Sequence, residues 1–237
     1  FFTPLLYHLP QSVLAAIIML AVVGMVNIRG FIHAWKAQWY DGAISIITFV
    51  ATLVFAPHLE WGILLGVSLS IMVFLYKSMN TRVISLSLSP DKRLHDALTH
   101  GLKECRFIDV VRFEGPLFYA NSSYLETQIA KHRQNKPRLK HILLVADGIN
   151  DMDASGQEML SLIVDRVRSA GIDISLCGVH HPVMTVLKRT HLLKKIGKDN
   201  IYPNVDMALR TIHAKTHEEK DEAECPLTRV VYRNTNF

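Results

Sequence analysis

The segment Asp151-Met152-Asp153-Ala154-Ser155-Gly156-Gln157-Glu158 sets a hydroxyl among carboxylates at the mouth of an amphipathic run. Ser155 followed three residues later by Glu158 has the spacing of a capping box, and such a cap contributes about 1 kcal/mol to a helix start. Asp147 adds a third nearby acid. His180-His181 precede Pro182 at a strand end; neighbouring strand residues point to opposite sides, so the pair is poorly placed to share a metal. Cys105, Cys177 and Cys225 are widely spaced and form no CxxC. They predict reduced thiols, not a disulfide framework or a zinc site, and no metal or other cofactor is expected. Lys188, Arg189, His191, Lys194, Lys195 and Lys198 cluster within eleven residues. A solvated helix face accounts for them, and anionic headgroups or an acidic partner are the functional rivals. No nucleophile elbow, P-loop or GxGxxG occurs, which argues against an enzyme.

The elements that must hold these groups alternate in type. FIDVVRF (107–113) reads as a strand, Gly115-Pro116 as a turn, and LFYA (117–120) as a second short strand. A helix follows over 121–133, with Asn121 or Ser122 as its cap. HILLVA (141–146) and ISLCGV (174–179) are continuous apolar runs, as expected of strands buried on both faces. Residues 155–169 set Met159, Leu160, Ile163, Val164 and Val167 on one helix face, and Gly171 ends that helix. Two more helices are expected over 182–190 and 204–214, with Ile201-Tyr202 as a last strand. The pattern predicts βαβ units around a mostly parallel central sheet flanked by helices. The domain boundaries are 105–214, after a linker over 80–104. A charged and flexible tail is expected over 215–237; no role is assigned to the Val-Val-Tyr stretch within it.

The first third of the chain is of another kind. All but three of the 26 Lys+Arg and all but two of the 21 Asp+Glu fall after residue 79. Residues 10–28 are almost continuously apolar and reach roughly 28 Å as a helix, the thickness of a bilayer core. Residues 43–56 and 61–76 are each short for a full span and predict a tight helical hairpin joined by Pro57-His58-Leu59-Glu60. Gly62 and Gly66 form a GxxxG, a helix-packing signal read here as intramolecular. It lacks the Lys-Ser/Thr of a phosphate cradle. Arg29 and Lys36 in the connection over 29–42, and Lys77 and Arg82 after the last helix, put both on the cytoplasmic side. Trp35, Trp39 and Tyr40 suit an interfacial belt. Asp41 and Glu60 fall at helix ends, where interfacial placement is expected over proton relay. The net charge of +5 comes with no aromatic-interleaved basic groove, so no nucleic-acid partner is expected. The chain starts at Phe1 inside apolar sequence and is read as a fragment of a longer polypeptide.

FIDVVRFEGPLFYANSSYLE, HILLVADGINDMDASGQEML and ISLCGVHHPV together resemble the STAS domain of sulfate-permease (SulP) anion transporters. FFTPLLYHLPQSVLAAIIMLAVVG and WGILLGVSLSIMVFLYKSMNT resemble the last membrane helices of the same family. The resemblance implies a multi-pass α-helical permease of the plasma or inner membrane, working by alternating access between a core and a gate domain. Residues 1–79 would be the final gate helices and the STAS domain a cytoplasmic attachment for assembly and regulation. A homodimer is implied, with a possible cytosolic protein partner on the STAS domain. The cargo implied is sulfate, bicarbonate, chloride or a dicarboxylate, bound in a core domain that these residues do not include. The STAS fold is shared with anti-sigma factor antagonists, in which the second serine of a DSSG-type motif is phosphorylated. Asp153-Ala154-Ser155-Gly156 matches that motif with Ala154 in place of the first serine. The resemblance thus marks Ser155 as a regulatory phosphosite, flanked by Asp147 and Asp153. A membrane-tethered signalling module worked by Ser155 is the alternative to a permease.

Overall fold

A computed structural model describes residues 11–25, 27–79, 81–89, 91, 93–217 and 225–228. The chain falls into two units, residues 1–75 and 76–237. The first contains helices α1 (Gln11–Met25), α2 (Ile28–Ala37), α3 (Trp39–Val54) and most of α4 (Leu59–Met79). Their large apolar side chains point outward all round: Leu20, Val23, Phe49, Leu53, Ile63 and Phe74 are all more than half exposed. Helices that are apolar on every face are buried in a protein core or span a membrane. By length and composition, Ser12–Ala37 and Leu59–Met79 can cross a membrane. At 21 residues α4 reaches about 31 Å, long enough for a full span, unlike the short segment expected over 61–76. The expected connection over 29–42 contains α2 as well. Arg29, His33 and Lys36 recur along it at helical spacing.

Gly62 and Gly66 are the buried residues of α4. A Cβ at Gly62 would lie 2.4 Å from Thr52 Cγ2 and 2.7 Å from Thr52 Cα, and one at Gly66 2.5 Å from Thr48 Oγ1. Only a bare backbone allows α3 and α4 to approach this closely. The hydroxyls on the facing helix are satisfied internally: Thr48 donates to Ile44 O at 2.8 Å and Thr52 to Phe49 O at 2.7 Å.

The second unit is built on a six-stranded sheet of order β2-β1-β3-β4-β5-β6. Its strands are β1 (Arg82–Leu88), β2 (Leu94–Asp96), β3 (Ile108–Glu114), β4 (His141–Val145), β5 (Asp173–Cys177) and β6 (Ile201–Tyr202). β3 through β6 are parallel, while β1 runs antiparallel to both β2 and β3. Residues 82–88 and 94–96 are therefore part of the sheet, not a linker. The helices are α5 (Tyr119–Asn135), α6 (Ala154–Ser169), α7 (His181–Arg189), α8 (Leu192–Ile196) and α9 (Val205–Thr216). Alternation along β4 splits its side chains between two cores. Ile142 and Leu144 pack under α5 through α8, whereas Leu143 and Val145 pack against Ala208, Leu209 and Ile212 of α9. LFYA is not a strand: Leu117 makes one parallel bridge to Met152, and α5 begins at Tyr119. The cap expected at Asn121 or Ser122 lies three residues earlier, at Phe118, whose N–H donates to Asn121 Oδ1 at 2.9 Å. In the expected tail, α9 runs to Thr216, and Leu227 is buried in the second core. Residues 218–224 and 229–237, including Val-Val-Tyr, lie outside the described residues.

Two polar groups inside the sheet are ionisable. Asp109, fully buried on β3, accepts from Ser85 at 2.9 Å and from Lys136 at 2.6 Å, and its other oxygen lies 2.8 Å from His132 Nδ1. His141 opens β4, buried, with Nε2 2.9 Å from Ser175 Oγ. Burial pushes the His141 imidazolium down to about 4, only partly offset by Asp173. Below its ordinary value of about 6.5 the unfolded chain therefore takes up a proton that the folded domain refuses. Stability contributed by this group is full above that value and falls as pH drops towards 4, by about 3 kcal/mol in all. Hydrogen exchange of β4 amides at pH 7 and pH 4.5 checks this, and the drop should shrink in His141→Gln.

Candidate functional site

The loops at the carboxyl ends of the parallel strands meet where α5 and α6 begin. Asp153, not Ser155, is the cap of α6: its Oδ1 accepts from Gly156 N at 2.6 Å. Its Oδ2 accepts from Tyr119 N, the first residue of α5, at 3.2 Å. One carboxylate thus serves the positive ends of two helices. The two loops are laced by backbone bonds, Leu117 N to Asp151 O at 2.9 Å and Asp153 N to Leu117 O at 3.2 Å. Gly156 packs straight onto that lacing, since a Cβ there would stand 2.2 Å from Leu117 O. Gly148 does the same beneath β3, where a Cβ would be 2.4 Å from Phe113 O.

Ser155 is the second residue of α6 and half-buried. Among the described residues its hydroxyl has no hydrogen bond, so the expected capping box with Glu158 is not formed. Asp153 sits two residues earlier and competes successfully, because its carboxylate reaches N–H groups of both helices. Asp147 is exposed at the end of β4, with its carboxylate 3.1 Å from Arg112 Nη2. Its backbone oxygen is 2.8 Å from His180 Nε2. The two histidines do separate: His180 contacts the Asp147 loop and caps α7, and His181 begins that helix. In the basic cluster, Lys195 pairs with Asp165 at 2.6 Å, and Lys188, Arg189, His191, Lys194 and Lys198 are exposed.

A second grouping was not legible in the sequence. Cys105, just before β3, lies 3.3 Å from Cys225 Sγ and 3.3 Å from His217 Nε2. Spacings of 112 and 120 residues hide these contacts from any motif. All three cysteines are free, as the sequence predicts, but two of them are in contact despite their wide spacing. The Cys105 thiol is held well below its ordinary range, first by the Cys225 S–H donated to it and then, against burial, by His217 and the N–H groups of Phe107 and Ile108. Cys225 is correspondingly pushed up. Cys177 stands apart, fully buried, and burial with the nearby Asp147 charge pushes it up to about 12.

The STAS domain family model matches residues 104–208 of the chain, and the sulfate permease family model matches residues 1–48. Probable sulfate transporter 4.2 of Arabidopsis thaliana is 28% identical over 222 residues, which cover 89% of this chain and 32% of that protein. The putative sulfate transporter YvdB of Bacillus subtilis (strain 168) is 26% identical over 208 residues, covering 86% of this chain and 37% of that protein. The chain thus spans about a third of the length of the curated relatives it matches. Among solved structures, the inward-facing murine Solute Carrier 26 family member A9 anion transporter superposes with a TM-score of 0.75 at 20% identity. That superposition covers 87% of this chain and 34% of the transporter. It shows the fold, apolar helices followed by a STAS domain.

Proposed function

From the matches to the sulfate permease and STAS family models, we propose that the chain belongs to the sulfate permease family and works as the C-terminal portion of a secondary-active anion permease, carrying its last membrane helices and STAS domain. One observation carries the reading: a permease model and a STAS model match the same chain, in that order, at residues 1–48 and 104–208. The tethered signalling alternative gives no reason for the first of these matches. The relatives named sulfate transporters make sulfate the first cargo to test, with bicarbonate, chloride and dicarboxylates beside it. Alternating access would move a core domain against the gate formed by residues 1–79. The close α3–α4 contact at Gly62 and Gly66 suits a gate that moves as one body. The basic residues flanking the helices favour a cytoplasmic STAS domain at the plasma or inner membrane. Assembly as a homodimer and docking of a cytosolic protein on the STAS domain belong to the same proposal.

Ser155 is proposed as the regulatory position. A phosphate on the second residue of α6 would meet Asp153 on the same helix end, and the like charges would strain its two capping bonds. Asp147 takes a lesser part, since Arg112 offsets its charge. The test is labelled-sulfate uptake by the full-length protein in liposomes, with the other anions as competitors. Uptake saturable in one of these anions is expected, and Ser155→Asp should change its rate severalfold. Absence of uptake for every anion overturns the permease reading. An unchanged rate in Ser155→Asp overturns the regulatory one alone.

A further inference from the structure

Among the described residues, one cluster outside the loops around Ser155 brings metal-ligating atoms together: Cys105 Sγ, His217 Nε2 and Cys225 Sγ all lie within 4.8 Å of one another. We propose that these three side chains form a binding site for a thiophilic divalent cation, Zn2+ in the first instance, with a fourth coordination position left open.

Spacing is the first argument. In tetrahedral zinc sites, Zn–S of about 2.3 Å and Zn–N of about 2.0 Å put neighbouring sulfurs about 3.8 Å apart and sulfur and nitrogen about 3.5 Å apart. Here Cys105 Sγ lies 3.3 Å from both Cys225 Sγ and His217 Nε2, and the third separation, between Cys225 and His217, is within 4.8 Å. An arriving cation needs a few tenths of an ångström of opening at Cys105.

The orientation of the imidazole is the second. Thr216 Oγ1 donates its single hydrogen to Ile212 O at 2.8 Å. The same oxygen lies 3.0 Å from His217 Nδ1, a partner on the far ring nitrogen of the kind that holds ligating histidines. A cation arriving at Nε2 would displace the proton shared between it and Cys105 Sγ. The ring is further fixed between His213, stacked at 3.9 Å, and Phe107, edge-on at 5.1 Å.

The surroundings of the sulfurs are the third. Phe107 N and Ile108 N both donate to Cys105 Sγ at 3.4 Å, as suits a thiolate ligand. Cys225 is held in place by Leu227, which is buried in the core beneath α9. Two thiolates neutralise a divalent cation, so binding leaves no net charge in a largely buried site. A disulfide would use the two cysteines alone and give no account of His217. The bound ion would clasp His217 and Cys225 to Cys105 at the start of β3.

The full chain, in detergent and reductant, is titrated with Co2+ and then Zn2+. One cobalt per chain is expected, with a thiolate-to-cobalt charge-transfer band and the strong visible bands of a tetrahedral ion, all lost on adding Zn2+. Cys225→Ser should abolish or halve the charge-transfer band, and His217→Ala should weaken cobalt binding at least about tenfold. Zn2+ should shield Cys105 and Cys225 from alkylation and leave Cys177 unaffected, a readout that survives if a variant misfolds. The proposal is overturned if no charge-transfer band appears. It is equally overturned if uptake is indifferent to both variants, or if Cys105 and Cys225 are isolated as a disulfide that takes up no cobalt once reduced.

Discussion

Asp109→Ala is expected to cost the STAS domain about 3–5 kcal/mol, because it strands charge inside the protein. Lys136 is 13% exposed and reaches Asp109 at 2.6 Å, with Glu104 as its other partner. Ser85 and His132 would lose their acceptor in the same step. Hydrogen exchange of β3 and β4 amides in the full chain reads the loss directly. The double variant Asp109→Leu with Lys136→Met should recover most of it, since a buried ion pair is replaceable by apolar side chains of similar size. The pH dependence has a definite sign. Burial pushes the Asp109 carboxyl up, but the His132 hydrogen bond and the Lys136 charge outweigh it and hold the group at about 2. A depressed carboxylate contributes stability above its unfolded value, near 4, and that contribution vanishes as pH falls through 2. Asp109→Ala should therefore lie closest to the parent at the acid end and farthest from it at neutral pH.

Gly156→Ala is expected to lose about 3 kcal/mol, the upper part of the overpacking range. The added carbon would meet Leu117 O at 2.2 Å and Leu117 C at 2.8 Å, main-chain atoms that cannot rotate away. Relief requires α6 to withdraw from the 117–119 loop, which breaks the Asp153 bonds to Gly156 and Tyr119 together. Amides of both α5 and α6 should then exchange faster, although only α6 carries the substitution. If protection is lost in α6 alone, the two helix starts are not coupled through Asp153.

These results rest on features of unequal legibility in the sequence. β3, β4 and β5 were readable because apolar side chains outnumber the buried Asp109, His141 and Ser175 along them, and the helical face from Met159 to Val167 was readable by period. β1 alternates Ile84, Leu86 and Leu88, which face the second core, with Ser85 and Ser87, which are buried by hydrogen bonds to Asp109 and to the Lys103 carbonyl. The period-2 signal is therefore present, and the segment reads as a linker because it directly follows an apolar helix. The cap of α6 was misplaced by two residues, because Asp153 and Ser155 are both good caps. The choice between them depends on the second helix start at Tyr119, which lies 34 residues away. α1, α3 and α4 were legible as apolar runs, but α2 was not, since Arg29, His33 and Lys36 interrupt it, and neither was the full length of α4, since Glu60 and Lys77 at its ends look like loop residues. The Cys105–His217–Cys225 group has no local signature at all.

The outermost strands of the sheet are its shortest, three residues in β2 and two in β6. Short margins offer few unpaired N–H and C=O groups to a foreign strand, so they resist growth of the sheet from one molecule into the next. Where copies of the domain are held close together, as the proposed membrane anchoring would do, this blunting favours contacts between neighbours made through side chains, which can be undone, over extended backbone pairing, which is difficult to reverse.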